Sequence, residues 1–122
     1  MKNILIVEDC EDHLEIIKLI LEQQNYGILT AGNGKDGLLS AQTNLPNLIF
    51  LDVMLPEMNG YEVCKILKND PLTLNIPIIM LSVRSSPEDI ETGLKAGANE
   101  YMTKPFNLSE LLSKVKKYLG EE

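Results

Sequence analysis

Positive charge is scarce in this chain. It carries 11 Lys and Arg against 18 Asp and Glu, a formal net charge of −7. Nucleic acid is densely negative, so the domain by itself is a poor direct nucleic-acid binder, and any such role falls to another module. Long apolar runs are missing too. The longest are strand-length, well short of the ~20 residues that cross a bilayer, so no membrane span is expected. No signal-like segment opens the chain, because MKNILIVED turns acidic by Glu8, and the expected location is cytoplasmic. The two cysteines, Cys10 and Cys64, form no CxxC, and there is one histidine, His13. That excludes a Cys/His zinc site and leaves two free thiols in a reducing compartment as the expectation. His13, in the first turn of a helix, reads as surface or helix-start filler. There is no linker, low-complexity run or short repeat.

What is present is a regular alternation. With 122 residues, 44% of them hydrophobic, the chain can bury a real core and is expected to be one domain over residues 1–122. Leu48 to Leu51 form a continuous apolar run between Pro46-Asn47 and Pro56, as in a strand buried on both faces of a parallel sheet. Ile4–Val7 and Ile78–Leu81 read the same way, while Ile28–Ala31 is a weaker strand nearer an edge and Glu100–Thr103 a short one. Helical stripes fall between them: Leu14, Ile17, Ile20 and Leu21; Leu38, Leu39 and Ala41; Val63, Ile66 and Leu67; and finally Leu108, Leu111, Leu112, Val115 and Leu119. Asn59 with Glu62, and Asn107 with Glu110, have cap-box spacing. Ser86-Pro87-Glu88-Asp89 is a strong helix start: a cap, a proline at the first position, and acids at the positive end of the dipole. Five βα units imply an α/β fold, with a parallel sheet and helices on both faces. Strand order does not follow from periodicity.

The residues that close the strands are Glu8-Asp9, Asp52, Ser82 and Lys104. In a parallel sheet all strand C-termini share one edge, the edge where ligands bind in open α/β folds. Each residue taken singly has a plainer reading: a helix cap for Glu8-Asp9, a turn cap for Asp52, a turn former for Ser82, a solvated charge for Lys104. Together they bring three carboxylates, a hydroxyl and an ammonium to one place. Clustered carboxylates repel and need a cation. All-oxygen ligands point to a hard ion, and few protein ligands plus a phosphate suit Mg²⁺ better than Ca²⁺. A carboxylate beside Mg²⁺ and a lysine can accept a phosphoryl group as an aspartyl phosphate.

The segments IVED, LDVMLPEMNG, PIIMLS and GANEYMTKPF, in that order, resemble the receiver domain of bacterial two-component response regulators, from Lys2 to about Leu119. The resemblance implies a flavodoxin-like (βα)5 sheet of order 2-1-3-4-5, the topology of which chemotaxis-type receivers are a standard example. It implies Asp52 as phosphoacceptor, with Glu8, Asp9 and the Met54 backbone carbonyl completing the Mg²⁺ ligands. It makes Ser82 the switch hydroxyl, Lys104 the phosphate-binding lysine, and Tyr101 the aromatic that swings inward on activation. It also implies a cis bond before Pro105, and places Met54 and Arg84 beside the approach of the hydrolytic water. Activation would redraw the surface of the fourth helix, fifth strand and fifth helix.

The chain departs from the family pattern in places. Val83 stands where Ala or Gly is favoured and would crowd the phosphoryl pocket, and Glu8 is a common variant of the first acid. Ile90 and Lys114 fit poorly the charge set by which winged-helix regulators dimerise, so a monomer or a weak phosphorylation-dependent dimer is expected. The implied donor is a histidine kinase or histidine phosphotransfer protein. The domain would catalyse only its own phosphorylation and dephosphorylation, and its downstream target is unknown. Two other readings stand beside this one. A Mg-dependent phosphatase would show Asp-x-Asp after the first strand, whereas here Asp52 follows the third and Met54 lies two on. A phosphorylation-independent interaction module has no need of the intact set. The charged ending Gly120-Glu121-Glu122 suits a stand-alone regulator or a domain of a longer protein.

Overall fold

The computed structural model describes residues 1–120; Glu121 and Glu122 of the charged ending lie outside the described residues. Strands and helices alternate along the chain: β1 Asn3–Val7, α1 Glu11–Glu22, β2 Gly27–Ala31, α2 Gly34–Asn44, β3 Leu48–Leu51, α3 Gly60–Lys68, β4 Ile78–Ser82, α4 Pro87–Lys95, β5 Glu100–Thr103 and α5 Leu108–Leu119. Every strand pairing is parallel, and the order is β2-β1-β3-β4-β5, that of a flavodoxin-like sheet. The three continuous apolar runs are the central strands β1, β3 and β4, and the weaker run is edge strand β2.

Alternation along each strand divides the core in two. Leu5, Val7, Ile49, Leu51, Ile78 and Met80 meet Ala41 of α2 and Val63, Cys64 and Leu67 of α3. On the other face Ile4, Ile6, Leu48, Phe50, Ile79 and Leu81 meet Ile17 and Leu21 of α1 and Leu111, Val115 and Leu119 of α5. The capping signals act locally as expected: the side chains of Asn59, Ser86 and Asn107 accept from the amides of Glu62, Asp89 and Glu110 respectively. Asn33 likewise caps α2 by accepting from the amide of Asp36.

Three residues of the apolar stripes lie outside the core: Leu39, Ile66 and Leu108 are 63%, 41% and 52% exposed. Helix α2 seats through small residues instead. A Cβ on Gly37 would stand 2.9 Å from the Val7 side chain, so the helix approaches β1 too closely to lay Leu39 between them. Helix α3 is rotated so that Cys64, not Ile66, completes its buried face with Val63 and Leu67. Cys64 is a free thiol, and burial pushes its pKa up to about 11, so it packs as a small apolar group.

Helix α5 is also tied to β5 by charge. The Glu100 carboxylate, 15% exposed, accepts from Lys114 at 2.7 Å, from Lys117, and from the Tyr118 hydroxyl at 2.7 Å. These bonds, Lys114's first, lower the Glu100 pKa from 4.5 to about 2. Folding therefore favours the ionised form. The stabilisation is complete above 4.5 and is lost as pH falls through about 2. Glu100→Gln should cost stability at neutral pH, and the gap from wild type should narrow as pH drops from about 6 to about 3 in urea titrations. A gap that stays constant over that range would refute the pairing.

Candidate functional site

The site is positioned by backbone hydrogen bonds before any side chain acts. Glu8, Asp52 and Lys104 each follow the last residue of a strand, yet their amides continue the ladder. Glu8 N–H donates to Ala31 O at 2.9 Å, Asp52 N–H to Val7 O at 3.0 Å, and Lys104 N–H to Ser82 O at 2.9 Å. Each is held in register at the carboxyl edge, and Ser82 ends β4 between them.

Glu8 and Asp52 are 3% and 7% exposed. The Lys104 ammonium lies between them, bonded to Glu8 Oε1 and donating to Asp52 Oδ2 at 3.1 Å. The outer oxygens are held by the backbone. Asp52 Oδ1 accepts from Met54 N–H at 3.0 Å, and Glu8 Oε2 from Cys10 N–H at 3.1 Å. Burial raises the Glu8 pKa against the downward pull of Lys104. Burial opposes the Lys104 charge, but its bond to Glu8 and the Asp52 charge outweigh that and raise its pKa, so the ammonium stays protonated. Among the described residues, no buried side-chain nitrogen or oxygen lacks a partner.

Asp9 is exposed and adds the third carboxylate. Ligand oxygens of Glu8, Asp9 and Asp52 lie within 4.8 Å of one another. An all-oxygen set at that spacing fits a hard divalent cation and offers nothing to a soft one. Beside it a cavity of about 520 Å³ is walled by Asp9, Val53, Met54, Leu55, Pro56, Asn59, Tyr61 and Arg84. The loop after Asp52 closes back on itself: Gly60 N–H donates to Val53 O at 2.9 Å, and a Cβ on Gly60 would stand 2.1 Å from Asp52 O. Only glycine lets α3 begin so close to the site.

Other residues fall around this centre. Ser82 is fully buried, and its Oγ accepts from Arg84 N–H at 3.3 Å. Tyr101 donates its hydroxyl to Arg84 O at 2.7 Å, and its ring packs where a Gly93 Cβ would meet it at 2.8 Å. The Lys104–Pro105 peptide is cis. Val83, expected to crowd the pocket, is 54% exposed. His13 is more than filler: its Nδ1 lies 2.9 Å from Lys104 Nζ. Tyr61, unremarked in the sequence, donates its hydroxyl to Asp89 O at 3.0 Å and joins α3 to α4. Neither contact has a sequence signal, because each joins distant elements.

Fold and site together define a doubly wound α/β domain with an acidic, lysine-bridged centre at the carboxyl edge of its sheet. The model of the response regulator receiver domain matches residues 4–116, and the chain belongs to that family. It is 42% identical, over 97% of its length, to the alkaline phosphatase synthesis transcriptional regulatory protein PhoP of Bacillus subtilis, and covers 48% of that protein. It is 47% identical, over 96% of its length, to part of a histidine kinase of Formosa agariphila, of which it covers 8%. The chain thus spans about half, or far less, of the curated relatives it matches. Among solved structures, the receiver domain of a Pseudomonas aeruginosa sensor histidine kinase, with a magnesium ion coordinated in its active site cleft, superposes with a TM-score of 0.91 at 28% identity over 98% of both chains. The chain is a phosphoacceptor signalling domain of the two-component class, and no helix among its described residues is long and apolar enough to cross a membrane.

The bridge makes a stability prediction. Lys104→Met leaves Glu8 and Asp52 buried without their cation and should cost about 3 kcal/mol at neutral pH. Adding Glu8→Gln should recover a large part of the loss in chemical denaturation. A Lys104→Met protein as stable as wild type would show that the bridge does not form in solution.

Proposed function

We propose that the chain is a single receiver domain whose Asp52 takes a phosphoryl group from a phosphohistidine donor, either a histidine kinase or a histidine phosphotransfer protein. The observation that carries this reading is the convergence of Glu8, Asp9 and Asp52 around one point, with Lys104 against Asp52. Glu8, Asp9, Asp52 and the Met54 carbonyl are the residues that would hold Mg²⁺. When bound, that ion supplies charge neutralisation for the transferring phosphoryl oxygens. Asp52 is the nucleophile, and Met54 N–H, already on its Oδ1, orients it. Lys104, which donates to Asp52 Oδ2 at 3.1 Å, serves a phosphoryl oxygen, and Ser82 supplies a hydroxyl from the adjacent strand end. The reaction proceeds on the domain itself, in the cytoplasm, and turns over no external metabolite.

Phosphorylation then acts by population shift. Ser82 moves toward the phosphoryl oxygens, and Tyr101 and Arg84, joined through the Arg84 carbonyl, carry the change to α4, β5 and α5. The downstream target binds that surface.

Incubation with acetyl phosphate and Mg²⁺ should add one phosphoryl group by intact mass, absent in Asp52→Asn. No adduct on wild type, or the same adduct on Asp52→Asn, would reject Asp52 as acceptor. This also separates the domain from an interaction module that takes no phosphate.

The phosphorylated form should lose phosphate slowly for its family. Met54, 48% exposed beside Asp52, cannot orient a water as an amide or carboxylate can. Arg84 donates only and cannot take the proton of that water. Met54→Asn and Arg84→Glu should each shorten the phosphoryl lifetime by roughly threefold or more, a small part of what positioned acid–base groups achieve. If both leave it unchanged or lengthen it, water access does not set the rate.

A further inference from the structure

Arg84 has an alternative partner. Its Nη1 lies 3.6 Å from Asp89 Oδ1 at the start of α4, with the two side chains 52% and 23% exposed. Asp89 is held firmly for this. Its N–H donates to Ser86 Oγ at 3.1 Å, its Oδ2 accepts from Ser86 Oγ at 2.8 Å, and its carbonyl accepts from Tyr61 at 3.0 Å. One carboxylate oxygen therefore holds the capping hydroxyl, and the other is left for Arg84. The Arg84 backbone is fixed as well, by Ser82 Oγ at its N–H and Tyr101 at its carbonyl. Only the side chain is free to choose, and Arg84 lines the cavity together with Asp9 and Met54.

Resting on the reading of Asp52 as phosphoacceptor, we infer that Asp89 is a positioning residue that competes with the phosphoryl group for the Arg84 guanidinium and so sets how long the phosphoryl group lasts. In hydrolysis, water adds to phosphorus, the bond from phosphorus to the Asp52 oxygen breaks, and carboxylate, inorganic phosphate and a proton result. A guanidinium on the phosphoryl oxygens stabilises the state before that step and obstructs the water. Every fraction of time that Arg84 spends on Asp89 leaves the phosphoryl group less protected. The coupling is reciprocal: a phosphoryl group that draws Arg84 away removes the partner of Asp89, and so reports phosphorylation to the first turn of α4. Asp89 remains favourable there, because the helix N-terminus accepts a free carboxylate. The release therefore changes the position of α4 without melting it.

The test is a double-mutant cycle on the decay of the purified phosphoprotein in Mg²⁺, read by intact mass. Asp89→Asn should lengthen the lifetime about two- to fivefold, the range that an exposed ion pair supports. In an Arg84→Gln background, Asp89→Asn should change nothing. Asp89→Glu, which keeps the charge, should stay near wild type. A merely structural role of Asp89 in capping α4 would move the lifetime equally in both backgrounds, and that outcome overturns the inference. So does an Asp89→Asn lifetime equal to or shorter than that of wild type. As a second readout, beryllofluoride should shift the Asp89 and Ser86 amide resonances in wild type and much less in Arg84→Gln; equal shifts in both overturn the reciprocal half. A wild type that takes no phosphoryl group at all refutes the acceptor reading, and the inference with it. Phosphorylation that proceeds normally while the cycle shows no coupling refutes the inference alone.

Discussion

One ammonium group between two buried carboxylates sets the terms for this structure. Glu8 and Asp52 are out of water and close enough to repel, and neither is stable there without a positive partner. Lys104 supplies it from the end of β5, which is not adjacent to β1 or β3: β4 lies between β3 and β5. The lysine stem must cross the end of β4, and that strand ends in Ser82, small and fully buried. With Asp9 beside them, the carboxylates still outnumber the one ammonium and have oxygen ligands to offer a cation.

Register does the rest of the positioning. Glu8, Asp52 and Lys104 lie one step beyond their strands, where side chains are free to turn toward a ligand, but their amides still donate to the neighbouring strand. Rigid backbone and available side chain are combined at the same residues. Gly60 extends this by letting α3 start against the Asp52 carbonyl, which confines the loop carrying Met54. The cavity beside Asp52 is therefore walled by a constrained turn and by Arg84, whose backbone is bound to Ser82 and Tyr101.

Helix α4 combines polar ties to that wall with a thin apolar seat. Gly93 is its buried residue, and Tyr101 packs directly on it. Its first turn is held instead by Tyr61, Ser86 and Arg84. Helix α5 differs, being anchored by three buried apolar residues and by the Glu100 cluster. An element held by a few polar contacts, each traceable to the site, is suited to move when the site changes charge; one held by a core stripe is suited to stay.

Local patterning was enough to read the α/β class, the strands, the helix caps and the residues at the carboxyl edge. The signals are apolar runs at Ile4–Val7, Leu48–Leu51 and Ile78–Leu81, caps at Asn59, Ser86 and Asn107, and charged or polar residues where each run stops. Motif resemblance added the strand order, which periodicity does not contain. The stripes also named most of the buried helix residues, among them Ile17, Leu21, Val63, Leu67, Leu111, Val115 and Leu119, but the exact rotation of α2 and α3 came only with assembly of the fold. Ile66 yielded to Cys64 and Leu39 to the close seating of Gly37, because an apolar stripe defines an arc of a helix but not its rotation or its distance from the sheet. Assembly also chose the partners: His13 at Lys104, Tyr61 on the Asp89 carbonyl, and Asp89 opposite Arg84. Those contacts join side chains whose own segments carry no mark of one another, and only the folding of five parallel strands into one order brings them within reach.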